Sequence, residues 1–186
     1  MGPRKLPDRL VEARTSDDVR EAVAYAAGHG LRLTAHATGH GLPGAVEGGV
    51  LVVTRGLDSV AVDPVARTAV IGAGATWGAV TAAAAPHGLA PLNGSSPSVG
   101  AVSYTLGGGL GILARQFGYA ADQVRALDVV TADGVLGPRV LGRSLNFCFG
   151  GGDRTAGFHE PETAKRLAGL VSQYDPAGLF GGTYEG

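Results

Sequence analysis

The chain has 186 residues, of which 45% are hydrophobic, so it can bury one core, or two small cores that share an interface, without disulfides or metals. Its 15 Lys and Arg against 16 Asp and Glu give a net charge of -1, which argues against nucleic acid as a partner. One cysteine, Cys148, excludes an internal disulfide, and no Cys/His cluster has zinc spacing, so no metal is expected. The sequence lacks a signal peptide and an apolar run that could span a bilayer, which predicts a cytoplasmic protein without membrane contact.

The first predicted elements are a helix and a strand. Residues 15–18 form a capping box, and apolar residues then recur at helical spacing over 19–27 until Gly28 and Gly30. Residues 31–37 alternate between apolar and polar side chains, as in a half-buried strand, and lead directly into a glycine loop at 38–41. The first glycine loop therefore lies at the end of a predicted strand.

A strand, a hairpin and a second helix are predicted next. Residues 50–53 are all apolar, which is typical of a buried strand. The apolar segments 60–62 and 68–71 flank an Asp-Pro turn and predict a hairpin. Thr76 can cap a helix that continues to Pro86.

The rest of the chain predicts three more elements. A short helix is expected around 112–117, and a strand at 127–131 is followed by a turn at 132–134 that would lead to a partner strand. Helical spacing resumes over 160–172 and ends at 174–176.

Glycine is the first indication of function. The 32 glycines fall in clusters, and three loops centred on Gly39, Gly94 and Gly107 each follow a predicted strand or precede a predicted helix. Such loops offer backbone N–H groups to a phosphate, so together they favour a pyrophosphate-containing cofactor, although any one alone is more often an ordinary turn. His40 lies between two glycines, where an imidazole has little to pack against, but a single loop histidine is more often a surface residue.

A second motif allows a different cofactor. Residues 109–114 fit G-x-G-x-x-A, and Asp128 follows at about the spacing of a ribose-binding acid, which would make the chain an NAD-dependent dehydrogenase. However, such a fingerprint should follow a hydrophobic strand directly, whereas residues 103–106 and another glycine loop precede this one. We interpret the match as coincidental.

The motifs, taken in order, resemble the FAD-linked oxidases of the p-cresol methylhydroxylase and vanillyl-alcohol oxidase type, particularly the berberine bridge enzyme-like branch. Residues 37–41 stand where that family has its R-x-G-G-H-S loop. Several motifs in one order are more specific than any single motif. The segments that carry the resemblance are 14–19, 37–41, 73–77, 94–100, 104–111 and 130–134.

This resemblance implies an α+β fold of the FAD-binding p-cresol methylhydroxylase type. Residues 1–135 would form the FAD-binding domain, with two small α/β subdomains at about 1–55 and 56–135 that hold FAD between them. Residues 136–186 would form a shortened C-terminal segment whose helix returns to the first subdomain.

The resemblance also implies the site. His40 would bond to the 8α-methyl of the flavin, and because Ser96 stands where doubly linked relatives carry Cys, one covalent link is expected. The expected cofactor-binding residues are Thr38, Gly39, His40, Gly41, Leu42, Gly94, Ser95, Ser96, Val99, Gly100, Ser103, Tyr104, Leu106, Gly107, Gly109 and Gly111.

The resemblance is interrupted after about residue 135, where full-length relatives continue into a large substrate-binding domain. Residues 144–147 and 165–180 instead look like the family's final segment, so we interpret the chain as an internally shortened member joined near 135–139. Tyr104 is the one nearby side chain to consider as a catalytic proton acceptor, and a packed tyrosine is the simpler interpretation.

The implied function is oxidation of an alcohol or amine carbon of a small-molecule substrate by hydride transfer to FAD, with oxygen or another acceptor taking the electrons. Two alternatives stay open. The short chain is a remnant or carrier that binds FAD without catalysis, or it is a nicotinamide-dependent dehydrogenase that uses Gly109 and Asp128.

Overall fold

The computed structural model describes residues 6–41, 44–139, 161–177 and 179. They form an α+β fold, as the sequence predicts, and no helix in these ranges is long and apolar enough to cross a membrane. The elements in chain order are β1 (Arg9–Glu12), α1 (Ser16–His29), β2 (Leu33–His36), β3 (Val50–Val53), β4 (Val60–Asp63), β5 (Thr68–Ile71), α2 (Trp77–Ala84), a 3₁₀ turn (Ala85–His87), α3 (Ala101–Leu106), α4 (Ala114–Phe117), a second 3₁₀ turn (Ala120–Gln123), β6 (Leu127–Val130), β7 (Leu136–Arg139) and α5 (Pro161–Tyr174).

The first sheet contains three parallel strands in the order β1, β3, β2. Val50 in β3 is paired with Arg9 on one side and with Leu33 on the other, so β3 is the central strand. Its continuous apolar sequence follows from burial on both faces, and Val50 and Val52 are fully buried. The buried strand predicted at 50–53 is confirmed.

Capping residues define both ends of helix α1. The Thr15 side chain accepts a hydrogen bond from the N–H of Asp18 at 3.2 Å, while the Asp18 carboxylate accepts from the N–H groups of Arg14 and Thr15 at 2.8 Å each. These two backbone hydrogen bonds hold the pKa of Asp18 below its usual value. Gly30 ends the helix at φ 62°, a conformation that glycine adopts without strain. The predicted helix and its capping box are confirmed.

A second, smaller core forms beneath β4, β5 and α2. The two strands pair as the predicted antiparallel hairpin, and Trp77, Val80 and Ala101 are buried together against it. The N–H of Trp77 donates to the carbonyl of Val99 at 3.0 Å, and the N–H of Ala101 donates to that of Ala75 at 2.8 Å. These bonds tie the start of α3 to the start of α2.

Strand β6 brings the chain back to the first core. Val130 packs against the cluster that contains Val23 and Val52, and the Arg20 guanidinium in α1 donates through Nε to the Gly134 carbonyl at 3.1 Å. The strand pair predicted around the turn at 132–134 is therefore present as β6 and β7, and it contacts α1 although it follows the second core in sequence.

The segment after α5 also docks on the first core. Leu179 is buried there, and its carbonyl accepts a hydrogen bond from the N–H of Leu33 at 2.8 Å. The Leu179 N–H in turn donates to the Asp175 carboxylate at 2.7 Å, which fixes the bend after the helix. Since β2 is an edge strand of the described sheet, Leu179 satisfies a backbone donor on that edge. The expected return of the C-terminal segment is confirmed for these residues, whereas residues 144–147 lie outside the described ranges.

Three elements differ from the sequence predictions. No strand was expected at β1, where Leu10 is 55% exposed and the apolar alternation of a half-buried strand is missing. The sequence predicts no helix at α3, and the helix expected over 112–117 is limited to Ala114–Phe117. β1 is a strand because it pairs with β3, and pairing is a tertiary property.

Replacing Thr15 with Ala is expected to lower the free energy of unfolding by about 1 kcal/mol, because the Asp18 N–H loses its side-chain acceptor at the start of α1. Denaturant unfolding followed by circular dichroism measures the change. Thr81→Ala, at an exposed site in α2, is the matched control and should be neutral or slightly stabilising. Equal losses in both variants would contradict a capping role for Thr15.

Candidate functional site

The first glycine loop, residues 37–41, starts at the end of β2. Gly39 and Gly41 have φ values of 77° and 81°, a region that favours glycine. A Cβ on Gly41 would have no atom within 4 Å, so the backbone there faces open space. His40 is exposed between them, and its N–H donates to the Thr38 hydroxyl at 3.3 Å. The loop thus presents an imidazole and open backbone on the surface.

The second loop, residues 93–100, contacts the first. A Cβ on Gly100 would lie 3.3 Å from the Cβ of Ala37 and 3.5 Å from the Ser103 hydroxyl, so glycine allows the two backbones to come close. Gly100 and Ala37 are both buried at this contact. The end of β2 and the start of α3 are therefore neighbours.

The third loop, residues 107–111, contacts the second through Tyr104. A Cβ on Gly94 would lie 2.9 Å from Cε2 of the Tyr104 ring, and one on Gly109 would lie 2.8 Å from Cε1 on the opposite side. Gly111 approaches the carbonyl of Asn93 directly. The three loops are thus contiguous, and we call residues 37–41, 93–100 and 107–111 the three-loop region.

The three-loop region suits an anionic ligand through its backbone. It contains no Asp, Glu, Lys or Arg, so formal charge neither repels nor attracts a phosphate there. The N–H groups of Gly39, Gly41 and Ser95 donate no hydrogen bond to any residue that the structure describes. N–H groups in such loops bind phosphate oxygens. This donor set fits the pyrophosphate of a dinucleotide.

Most residues that the sequence predicts for the site lie in or beside this region. Val99 lies in the second loop, but its side chain packs on the second core, and Leu106, which precedes the third loop, is 52% exposed. Leu42 lies outside the described residues. The predicted positions that the structure brings together are Thr38, Gly39, His40, Gly41, Gly94, Ser95, Ser96, Gly100, Ser103, Tyr104, Gly107, Gly109 and Gly111.

Comparison with known proteins identifies the family. The model of the FAD binding domain family matches residues 7–136, well over half of the chain. The chain belongs to this FAD-binding family. The relatives found are FAD-linked oxidases of the p-cresol methylhydroxylase type and its berberine bridge enzyme-like branch, which confirms the resemblance.

Three relatives illustrate the match. (R)-6-hydroxynicotine oxidase of Paenarthrobacter nicotinovorans is 32% identical over 130 residues, which cover 69% of this chain and 28% of that protein. The crystal structure of 6-hydroxy-D-nicotine oxidase from Arthrobacter nicotinovorans aligns with a TM-score of 0.70 at 30% identity, covering 73% of this chain and 30% of the other. Glucooligosaccharide oxidase from Acremonium strictum, which has a 6-S-cysteinyl, 8α-N1-histidyl FAD, aligns at 0.68 and 25% identity over 73% and 30% of the two chains. The chain therefore spans less than a third of these relatives.

The structure removes the support for a nicotinamide site in this FAD-binding protein. The motif at 109–114 follows α3 and leads into the four-residue helix α4, whereas a dinucleotide fingerprint requires a strand before it. Asp128 is exposed on β6. The interpretation of that match as coincidental agrees with the fold.

A cavity of about 390 Å³ lies between α1, the first sheet and β6, and none of its lining residues belongs to the three-loop region. Its walls are mainly valine and leucine side chains such as Val19 and Val130, with Thr34 and Thr54 as polar members. It offers no glycine loop and no charged side chain, so it does not resemble a phosphate site.

Thr54 is a residue that the sequence analysis missed. It follows β3, its N–H donates to the His36 carbonyl at 2.9 Å, and its hydroxyl donates to the Ala73 carbonyl at 3.2 Å. It therefore joins the strand end that starts the first loop to the turn before α2. Gly74 packs against the Thr54 carbonyl so closely that a Cβ would not fit. The glycine in the motif at 73–77 was the available signal for this junction.

Tyr104 lies among backbone atoms of the second and third loops, in an edge-on contact with Trp77 whose ring centroids are 5.5 Å apart. Burial raises the pKa of the Tyr104 phenol above its ordinary value of 10.0. The phenol is therefore neutral at physiological pH, and these surroundings favour packing over a role as proton acceptor.

Because the pKa of Tyr104 is higher in the folded protein, its contribution to stability is fully present below pH 10.0 and is lost as the pH rises through the raised value. We expect the free energy of unfolding to fall more steeply above pH 10.0 in the wild type than in Tyr104→Phe. Urea unfolding at several alkaline pH values measures the slope. Identical slopes for wild type and Tyr104→Phe would refute the prediction.

Proposed function

We propose that this chain binds FAD across the three-loop region and uses it to oxidise an alcohol or amine carbon of a small molecule. The observation that carries the proposal is the contiguity of the three glycine loops, which depends on the contacts of Gly100 with Ala37 and of Gly94 and Gly109 with Tyr104. Because the three loops adjoin one another, one elongated dinucleotide can contact all of them.

In this proposal, backbone donors hold the pyrophosphate. The N–H groups of Gly39, Gly41 and Ser95 are the first candidates, and the absence of acidic side chains from the loops avoids repulsion. Bound FAD supplies the hydride acceptor, and oxygen or another acceptor takes the electrons from it. The backbone of the described loops orients the flavin ring.

His40 is the proposed attachment point for the flavin. It is exposed, and the glycines on both sides leave space for a ring to approach its imidazole. A neutral ring nitrogen is the nucleophile required for a bond to the 8α-methyl group. Ser96 carries a hydroxyl rather than a thiol, which supports a single link. The histidyl link in glucooligosaccharide oxidase shows that the chemistry exists in a relative.

Acid precipitation tests the link. The wild-type protein should be yellow, and its flavin should stay with the acid-precipitated protein. His40→Ala should release all of its flavin into the supernatant, because no other histidine lies in the three-loop region. His87→Ala, at an exposed turn outside that region, should retain the flavin. Flavin that remains in the His40→Ala precipitate would place the link elsewhere.

The division of the chain is part of the proposal. Residues 1–135 are the FAD-binding domain, with subdomains of about 1–55 and 56–135, and residues 136–186 are the shortened C-terminal segment. The match of the family model to 7–136 and the docking of Leu179 beside β2 support this division. The return of Val130 to the first core means that the second subdomain also contacts the first through β6.

A second candidate function is FAD binding without catalysis. Leu106, Leu110 and Ile112 are 52%, 61% and 80% exposed beside or within the third loop, and the chain spans 28% of (R)-6-hydroxynicotine oxidase. An exposed apolar surface at this place leaves no wall among the described residues to hold a substrate in reacting geometry. These observations favour a carrier or a remnant as the alternative.

Turnover separates the two candidates. The oxidase proposal expects at least one compound in a panel of sugars, alcohols and amines to bleach the flavin absorbance without oxygen, and air to restore it. Free FAD at equal concentration is the control. A protein that dithionite reduces but that no panel compound bleaches would support the carrier. A colourless protein that titrates with NAD would contradict both.

A further inference from the structure

The Tyr104 side chain occupies the space between two of the glycine loops. Gly94 lies on the Cε2 side of the ring, and Gly109 lies on the Cε1 and Cδ1 side. A Cβ placed on Gly111 would lie 3.2 Å from the hydroxyl oxygen. Three glycines from two loops thus surround one aromatic ring. No side chain at those three positions could be added without moving either the ring or the backbone.

The reason for glycine differs among these positions. Gly109 has a φ of 74°, so its backbone alone favours glycine. Gly94 has an ordinary φ, and the nearest atoms to a Cβ at Gly94 are all in the Tyr104 ring, at 2.9 to 3.3 Å. The requirement for glycine at residue 94 therefore comes from the ring itself.

The ring is in turn held by the second core. Trp77 is 5% exposed and contacts Tyr104 at a 5.5 Å centroid distance with the rings at 87°. The backbone N–H of Trp77 donates a hydrogen bond to the Val99 carbonyl, and the Trp77 side chain packs with Val80. Side-chain contacts therefore continue from the second core through Trp77 and Tyr104 to both loops.

We propose that Tyr104 is a positioning residue whose ring sets the separation of the backbones at residues 93–94 and 109–111, and thereby the shape of the flavin site. The inference rests on the proposed binding of FAD to these loops. Tyr104 acts through the loop backbones and carries no step of the oxidation. The ring is the part that matters, because its edges make the contacts with Gly94 and Gly109.

A double-mutant cycle between residues 94 and 104 tests this. The variants are made in His40→Ala, where FAD binding is expected to be reversible, and affinity is measured by the change in flavin fluorescence. Gly94→Ala should weaken FAD binding about tenfold, because the new methyl forces the ring or the loop to move. With Tyr104→Leu present, the same change should weaken binding less than about threefold, because the smaller side chain leaves room.

Controls separate positioning from loss of folding. Gly28→Ala, where a Cβ meets nothing within 4 Å, should leave the affinity unchanged. Tyr104→Phe keeps the ring and should bind FAD more tightly than Tyr104→Leu does, with a visible flavin spectrum closer to that of the parent. Fluorescence of Trp77, the single tryptophan, reports whether each variant is folded. If Tyr104→Leu is unfolded, Tyr104→Met provides the second side of the cycle, because a flexible thioether adapts to the gap.

The outcomes are distinct. An equal loss from Gly94→Ala in both backgrounds would overturn the positioning role while FAD binding stands. So would an affinity and a flavin spectrum in Tyr104→Leu that equal those of the His40→Ala parent. If neither the wild type nor His40→Ala binds FAD, the proposed function itself fails, and the inference with it.

Discussion

The site depends on a close approach between two backbone segments, Gly100 at the start of α3 and Ala37 at the end of β2. This contact brings a loop that follows a parallel strand next to a loop that follows a helix. A Cβ at residue 100 would lie 3.3 Å from that of Ala37, so glycine lets the two segments approach without displacing the Ala37 side chain. The hydrogen bonds between Ala75 and Ala101 and between Trp77 and Val99 hold the segment in place from the other side.

The loops contain no lysine or arginine, and close contacts exclude a side chain at Gly94, Gly109 and Gly111. Backbone N–H groups at glycine and serine positions are the donors that such loops offer to an anion. The contacts continue through Tyr104 and Trp77 to the second core, so the proposed site and that core share one set of contacts.

Two later segments of the chain also contact the first core. Val130 from β6 and Leu179 from beyond α5 both contact the cluster around Val23 and Val52. Leu179 bonds to the edge strand that leads into residues 37–41, so the C-terminal segment supports the strand that carries the histidine loop. The exposed leucine and isoleucine side chains at 106–112 lie in or beside the third loop, and the matched part of the chain covers only 28% of (R)-6-hydroxynicotine oxidase.

The sequence alone determined the local elements and the family. Capping residues at Thr15 and Gly30, the apolar run at 50–53 and the turn at 63–64 define structure through interactions within a few residues, which is why those predictions were accurate. The order of the glycine motifs likewise identified an FAD-binding chain. Only the tertiary structure decided that residues 9–12 are a strand, that Thr54 links two segments, and that Tyr104 packs between Gly94 and Gly109. Those features arise from contacts between residues distant in sequence, and no local pattern of side chains specifies which distant partner a residue meets.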